Sequence, residues 1–257
     1  MGARMSDERW HLSGLMFQIA VEGFGRDRLP YPIRYIADDP GIEVAEDYHR
    51  LRQQAGREMA GFASRELFEA LRVLLEPQVR VEVHGFYGPD FGGVVRVHAG
   101  MVGSVATVAV QRPGPTQRYG RDVILTRTGV GEAAAKIIAA VPECAPGRIA
   151  PVTGRRSDMA RATHIRDPYL EEINRIVRRP RSGLGEVNVF RGGAIDSRPT
   201  NDGRGFHWMD YLPTDGRYLL HNHDRDEFTL TPGSREEITN RLRELIESTH
   251  RATVRAW

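Results

Sequence analysis

Cysteine is nearly missing: Cys144 stands alone among 257 residues. One thiol excludes an intramolecular disulfide and a cysteine-built metal cluster, and fits a reducing compartment. Lysine is just as scarce. Lys136 is the only one, so 35 of the 36 basic residues are arginine. With Ala, Gly, Pro and Val also abundant, this bias reads as GC-rich codon usage rather than selection for arginine at an interface. No run approaches the ~18 consecutive apolar residues of a membrane span. The first ten residues, Met1 to Trp10, are polar and charged, with no apolar stretch resembling a secretory signal. The expectation is a cytoplasmic protein with no membrane partner. A net charge of +2 is too small to argue for a nucleic-acid partner.

What is present is enough apolar sequence, 40% of residues, to bury a core without covalent staples. His11 to Val21 reads as a strand-like apolar run. Leu29-Pro30-Tyr31-Pro32-Ile33 predicts an extended segment, because each proline pushes its predecessor out of the helical region. Val44 to Ala63 has helical character. Ser64 can cap a helix whose Leu67, Phe68, Leu71, Leu74 and Leu75 share one face, and Pro77 stops it. Four strands are expected next: Val79 to Phe86, Val94 to Val102, Val105 to Val110 and Asp122 to Thr126. Gly103-Ser104 gives a hairpin between the middle two. A helix then carries Val130, Ala134, Ile137, Ile138 and Val141.

The second half has the same plan. A helix with Tyr169, Ile173, Ile176 and Val177 precedes strands at Glu186 to Phe190, Phe206 to Leu212, Arg217 to His221 and Glu227 to Thr231. Thr214-Asp215-Gly216 marks a turn. Ser234 and Glu237 form a capping box before Ile238, Leu242, Leu245 and Ile246. Helix, four strands, helix thus occurs twice, over residues 64–141 and 168–249, joined by a Pro/Gly-rich linker from Pro142 to Asp167. The prediction is a single α+β domain over residues 1–257. Its centre is a mostly antiparallel sheet with flanking helices and a pseudo-two-fold internal duplication.

Candidate chemistry is sparse. Gly129-Val130-Gly131-Glu132-Ala133-Ala134 matches a G-x-G-x-x-A turn, but no parallel strand is expected after its helix, so a glycine-opened helix is the simpler reading. His221 and His223 lie two apart, as metal ligands on a strand can, with His98 and His207 as formal third ligands. The segment from His221 to Glu227 also reads as a polar hairpin turn. Arg175, Arg178, Arg179 and Arg181 suit a solvated helix C-terminus better than a phosphate grip. These features define a nucleotide- or metal-dependent enzyme as the alternative function. The leading expectation is a protein without catalytic residues, cofactor or metal. One loop looks wrong for a plain surface: Phe86-Tyr87-Gly88-Pro89-Asp90-Phe91-Gly92-Gly93 sets three aromatics beside a tight turn, either folded onto the core or meeting a partner.

Three features together resemble the EspG family of type VII secretion (ESX) in actinobacteria. They are the opening apolar run with Leu29-Pro30-Tyr31-Pro32-Ile33, the repeated helix–strands–helix plan, and the ending. That ending is Gly216-Arg217-Tyr218-Leu219-Leu220, then Leu230-Thr231-Pro232-Gly233-Ser234 and an amphipathic helix. The linker at residues 142–167 departs from the pattern. The resemblance implies a cytosolic chaperone, not an enzyme. It would hold the apolar tip of a PPE protein, usually in a PE–PPE pair, soluble until secretion. It also implies that the hairpin loop between the second and third strands touches the client, along with the C-terminal helical part. That places Phe86, Tyr87, Pro89, Asp90 and Phe91 at the contact, with Tyr87 and Phe91 as apolar anchors and Asp90 setting register.

Overall fold

A computed structural model describes residues 7–37, 43–161, 171, 173, 176–194, 200 and 202–254. The first strand, β1 (Glu8–Leu12), is short, and the expected strand ends there. Ser13 accepts a hydrogen bond from the Met16 N–H at 3.2 Å and starts α1 (Gly14–Gly23). Leu15, Met16, Phe17, Ala20 and Val21 are all buried. A helix buried on several sides has no clean period, which is why this apolar run reads as a strand in sequence yet is helical from Gly14. The Leu29–Ile33 segment is likewise not extended. The Ile33 N–H donates to Pro30 O at 2.9 Å across a turn whose Tyr31–Pro32 bond is cis.

Helices α2 (Ala45–Phe62) and α3 (Arg65–Leu75) follow, and Ser64 caps α3 as expected, its Oγ accepting from Leu67 N–H at 3.1 Å. Phe68 departs from the predicted apolar face. It is exposed, with its ring stacked on Phe24 at 5.0 Å, while Leu67, Leu71, Leu74 and Leu75 go inward.

The strands then run β2 (Val79–Tyr87), β3 (Gly93–Val102), β4 (Val105–Pro113) and β5 (Gly120–Gly129), leading into helix α4 (Val130–Ile138). Gly103, at φ 58°, makes the β3–β4 turn, a conformation that costs a glycine nothing. The linker is more structured than its composition suggested. It carries β6 (Val152–Arg155) and α5 (Arg156–Arg161), because β6 finds a free strand edge to pair with. Strands β7 (Gly183–Arg191), β8 (Arg204–Asp210), β9 (Arg217–Asn222) and β10 (Glu227–Pro232) precede the last helix, α6 (Arg235–Val254). The predicted helix around Tyr169 lies largely outside the described residues, although Ile173 and Ile176 are buried. The capping box of α6 forms in both directions, Glu237 N–H to Ser234 Oγ at 3.1 Å and Ser234 N–H to Glu237 Oε2 at 2.6 Å.

All ten strands form one antiparallel sheet in the order β1-β5-β4-β3-β2-β7-β8-β9-β10-β6. The α+β architecture is as expected. Read outward from the central β2–β7 pair, the two wings have matching order, and we retain the duplication as a proposal that this order supports. One sheet face is apolar: Val79, Val81, Val83, Val97, Val187 and Trp208 pack under α4 and α6. Fully burying side chains such as Leu242 and Ile246 contributes about 1.5–3 kcal/mol each. The opposite face is covered over one wing by α1 and α3 and carries polar groups at its centre. There Arg80 pairs with Glu82 at 2.9 Å, both at most 4% exposed, with the Arg80 guanidinium over the Phe190 ring at 4.0 Å. His98 is buried beside them, and burial pushes its imidazole down to about 4, so it is neutral at physiological pH.

Candidate partner-binding site

The aromatic loop closes the β2–β3 hairpin at one end of the sheet. Strand alternation splits the expected contact set. Phe86 points to the polar face, where it is half-buried with its ring edge-on to His84 at 5.0 Å. Tyr31 Oη lies 3.1 Å from His84 Nδ1 in the same group. Burial, then the charges of Arg96 and Arg34, pushes His84 down to about 4, while burial and then Glu186 pushes Tyr31 up to about 12. Tyr87 points to the apolar face instead and lies across Gly93, where an added Cβ would sit 2.6 Å from its ring. Pro89, Asp90 and Phe91 form the tip itself, a single 3-10 turn, with Pro89 and Asp90 exposed and Phe91 half-buried.

The tip backbone is unusual. Asp90 and Phe91 both have positive φ, 53° and 54°, after Gly88 at 81°. A left-handed residue other than glycine costs roughly 1–2 kcal/mol, so neighbours must hold the turn. Three contacts do so. Gly88 N–H donates to Ser182 O at 2.9 Å, Phe91 N–H to Gly88 O at 3.1 Å, and Gln117 Nε2 to Phe91 O at 2.7 Å. Gln117 is itself fixed from below. The buried Arg96 guanidinium donates to the carbonyls of Gln117 and Tyr119 and so ties the β4–β5 loop to the sheet.

Ser182 also reaches the other way. Its N–H donates to Asp210 O at 2.8 Å, and its Oγ accepts from Leu212 N–H at 2.9 Å. Leu212, 48% exposed, thus stands at the same end of the sheet as the tip, one strand away across β7. Arg96, Gln117, Ser182 and Leu212 had escaped the sequence reading. Their partners lie 21 to 30 residues away for Arg96, Gln117 and Leu212, and no local pattern marks them.

The β8–β9 turn beside Leu212 explains the sequence run Asp215-Gly216-Arg217-Tyr218. Arg217 donates to both carboxylate oxygens of Asp210, at 2.6 and 2.7 Å, and to Pro142 O at 2.8 Å. Asp215 accepts from Gly216 N–H, Arg148 N–H, Arg179 and the Tyr218 hydroxyl. Burial raises its carboxyl, but these donors outweigh burial and hold it below the usual range. At Gly216 a Cβ would meet the Ala145 and Pro146 oxygens at 2.4 Å, so the linker passes flush against the turn. Arg179, expected to be solvated, is part of this clasp, and Arg181 bonds Val177 O at 2.9 Å. Arg175 lies outside the described residues.

A model of the EspG family matches residues 13–244. The chain belongs to the EspG family. Membership supports a type VII secretion-associated chaperone role in general terms. No curated protein matches the chain. Among solved structures, a candidate adenylate cyclase from Bacillus halodurans is 14% identical, covering 73% of this chain and 85% of its own, with a TM-score of 0.14.

The two sites expected of an enzyme lack the geometry. Gly129 has an ordinary φ of −75°, neither it nor Gly131 has an atom within 4 Å of an added Cβ, and α4 is followed by the linker rather than a parallel strand. The His221 ring packs against Phe206 at 5.6 Å, and burial pushes its imidazole down to about 4. His223 Nε2 is 2.7 Å from Thr229 Oγ1, and the two side chains are thus engaged separately. Among the described residues no three His, Cys, Asp or Glu side chains converge as metal ligands. No described helix is long and apolar enough to cross a membrane.

Proposed function

We propose that this EspG-family chain is a cytosolic chaperone for a PPE protein, held as a PE–PPE pair, and that the β2–β3 tip with Leu212 grips the client's apolar end. The carrying observation is the tip's backbone: two consecutive left-handed residues, Asp90 and Phe91, held in place by Ser182 and Gln117. A costly conformation kept rigid at a surface turn suits recognition, because a preformed loop has less freedom to lose on binding. Pro89, Phe91, Tyr87 and Leu212 offer apolar area on which a partner's exposed patch can be masked. Asp90, exposed at the apex, gives a polar group to set register.

The test is co-expression with PE–PPE pairs of the same genome, followed by size-exclusion chromatography. A co-eluting heterotrimer is the expected result, and a folded Tyr87→Asp/Phe91→Asp variant should lose it. If the double variant binds as well as the parent, the tip is not the contact. If every pair elutes separately from the parent protein, the PPE assignment is wrong.

A further inference from the structure

The β8–β9 ladder runs from Asp210↔Arg217 to His207↔Leu220 and stops, although β8 begins at Arg204 and β9 continues to Asn222. Residues 204–206 pair with β7 and residues 221–222 with β10, but their facing edges do not pair with each other. Unpaired backbone donors and acceptors need partners from elsewhere. At this opening lies a cleft of about 730 Å³. By strand alternation its lining draws on both sheet faces, with Gly205, His207 and Asn222 on one and Arg204 and α6 on the other.

Separate elements send arginine and imidazole side chains to it. Arg204 and His207 come from β8, His223 from the turn after β9, and Arg241 and Arg251 from α6. Three arginines in the lining stand against one carboxylate, Glu244, which accepts from Arg241 at 3.1 Å. Arg251 lies 3.6 Å from Glu247, and His207 lies 4.0 Å from Glu186. Arg204 has no side-chain hydrogen bond or ion pair among the described residues. Arg156 donates to Asn222 Oδ1 at 2.6 Å, which leaves the Asn222 NH2 as the free donor. Ser248 and Asn188 complete a lining in which Leu245 is the one large apolar side chain.

We propose that this cleft binds a small, multiply charged anion of the phosphate-ester class. Arginine forks match phosphate oxygens in pairs, and the volume falls in the range of small-ligand sites, roughly 300–1,000 Å³. It exceeds what one inorganic ion fills, so the anion carries a polar organic group. An arginine-rich chain has many exposed guanidinium groups. Concavity, convergence from different elements and an opened ladder distinguish these three. The inference does not rest on the tip assignment, because the cleft lies at the opposite end of the sheet from the β2–β3 tip.

The probe is inorganic pyrophosphate, titrated by calorimetry into the full chain. Binding is expected, weakened about tenfold or more by Arg204→Ala/Arg241→Ala. Arg65→Ala, at the exposed start of α3, should leave it unchanged. Absent heat at millimolar ligand, an unaltered double variant, or an equal loss from Arg65→Ala overturns the proposal. Should the double variant fail to fold, the ring resonances of His207 and His223 are followed in the parent protein during the titration. Movement of those resonances with saturation supports the site, and static resonances overturn it.

Discussion

Two turns stand side by side at one end of the sheet and are held in place by opposite means. The β8–β9 turn is clamped by charge: Arg217 and Asp210 are 2% and 5% exposed, and Asp215 gathers donors from the linker and the strand alike. The β2–β3 tip has no such clamp. Its left-handed residues are held by backbone and amide hydrogen bonds, and its side chains are left for the surface. Ser182 bonds to both turns. The difference teaches that stability and presentation are divided between neighbours. One turn spends its polar residues on being immovable, and the other is carried by it.

Breaking the clamp should have the largest effect. Arg217→Met leaves Asp210 buried without its partner and should cost about 3–5 kcal/mol, read from urea unfolding. A loss under about 1 kcal/mol would mean that Asp210 is not left as an uncompensated buried charge when Arg217 is removed. Acid should attack the same turn next. The folded carboxyl of Asp215 lies below its unfolded value, so its contribution is present above about pH 4 and is lost as pH falls through the folded value. Asp215→Asn should therefore flatten the fall of the urea midpoint below about pH 4, and an unchanged slope would remove Asp215 from the acid response. The smallest effect belongs to the tip. Gln117→Ala removes one bond to Phe91 O and should cost about 1 kcal/mol or less. Amide exchange at Phe91 and Gly92 should nevertheless speed up, and, if the tip is the proposed contact, client affinity should drop with global stability nearly unchanged. If exchange there is unaltered, the tip is held without Gln117.

The parts of the fold visible in sequence are those made by neighbours in the chain. The Ser64 cap, the Ser234–Glu237 box and the Gly103 turn depend on residues within four positions of each other. The His11–Val21 run misled because burial on several sides erased its helical period. Strand β6 was hidden in a Pro/Gly-rich linker because its stability comes from the β10 edge, more than 70 residues onward. The site shows the same limit. Three aromatics beside a turn mark the tip as unusual, but only the fold sends Phe86 and Tyr87 to opposite faces. Only the fold, too, brings Gln117, Ser182 and Leu212 to its support. Arg217 was conspicuous as part of a motif, yet its role needed Asp210 and Pro142 beside it.

Strands β2 and β7 meet along nine residues each, from Val79↔Arg191 to Tyr87↔Gly183. Two wings joined only by loops could close on a partner like a jaw. Wings laced together along their full shared border cannot swing independently without tearing that lacing. If a client is gripped at the tip as proposed, it meets an anvil, and any bending required for the fit must come from the client.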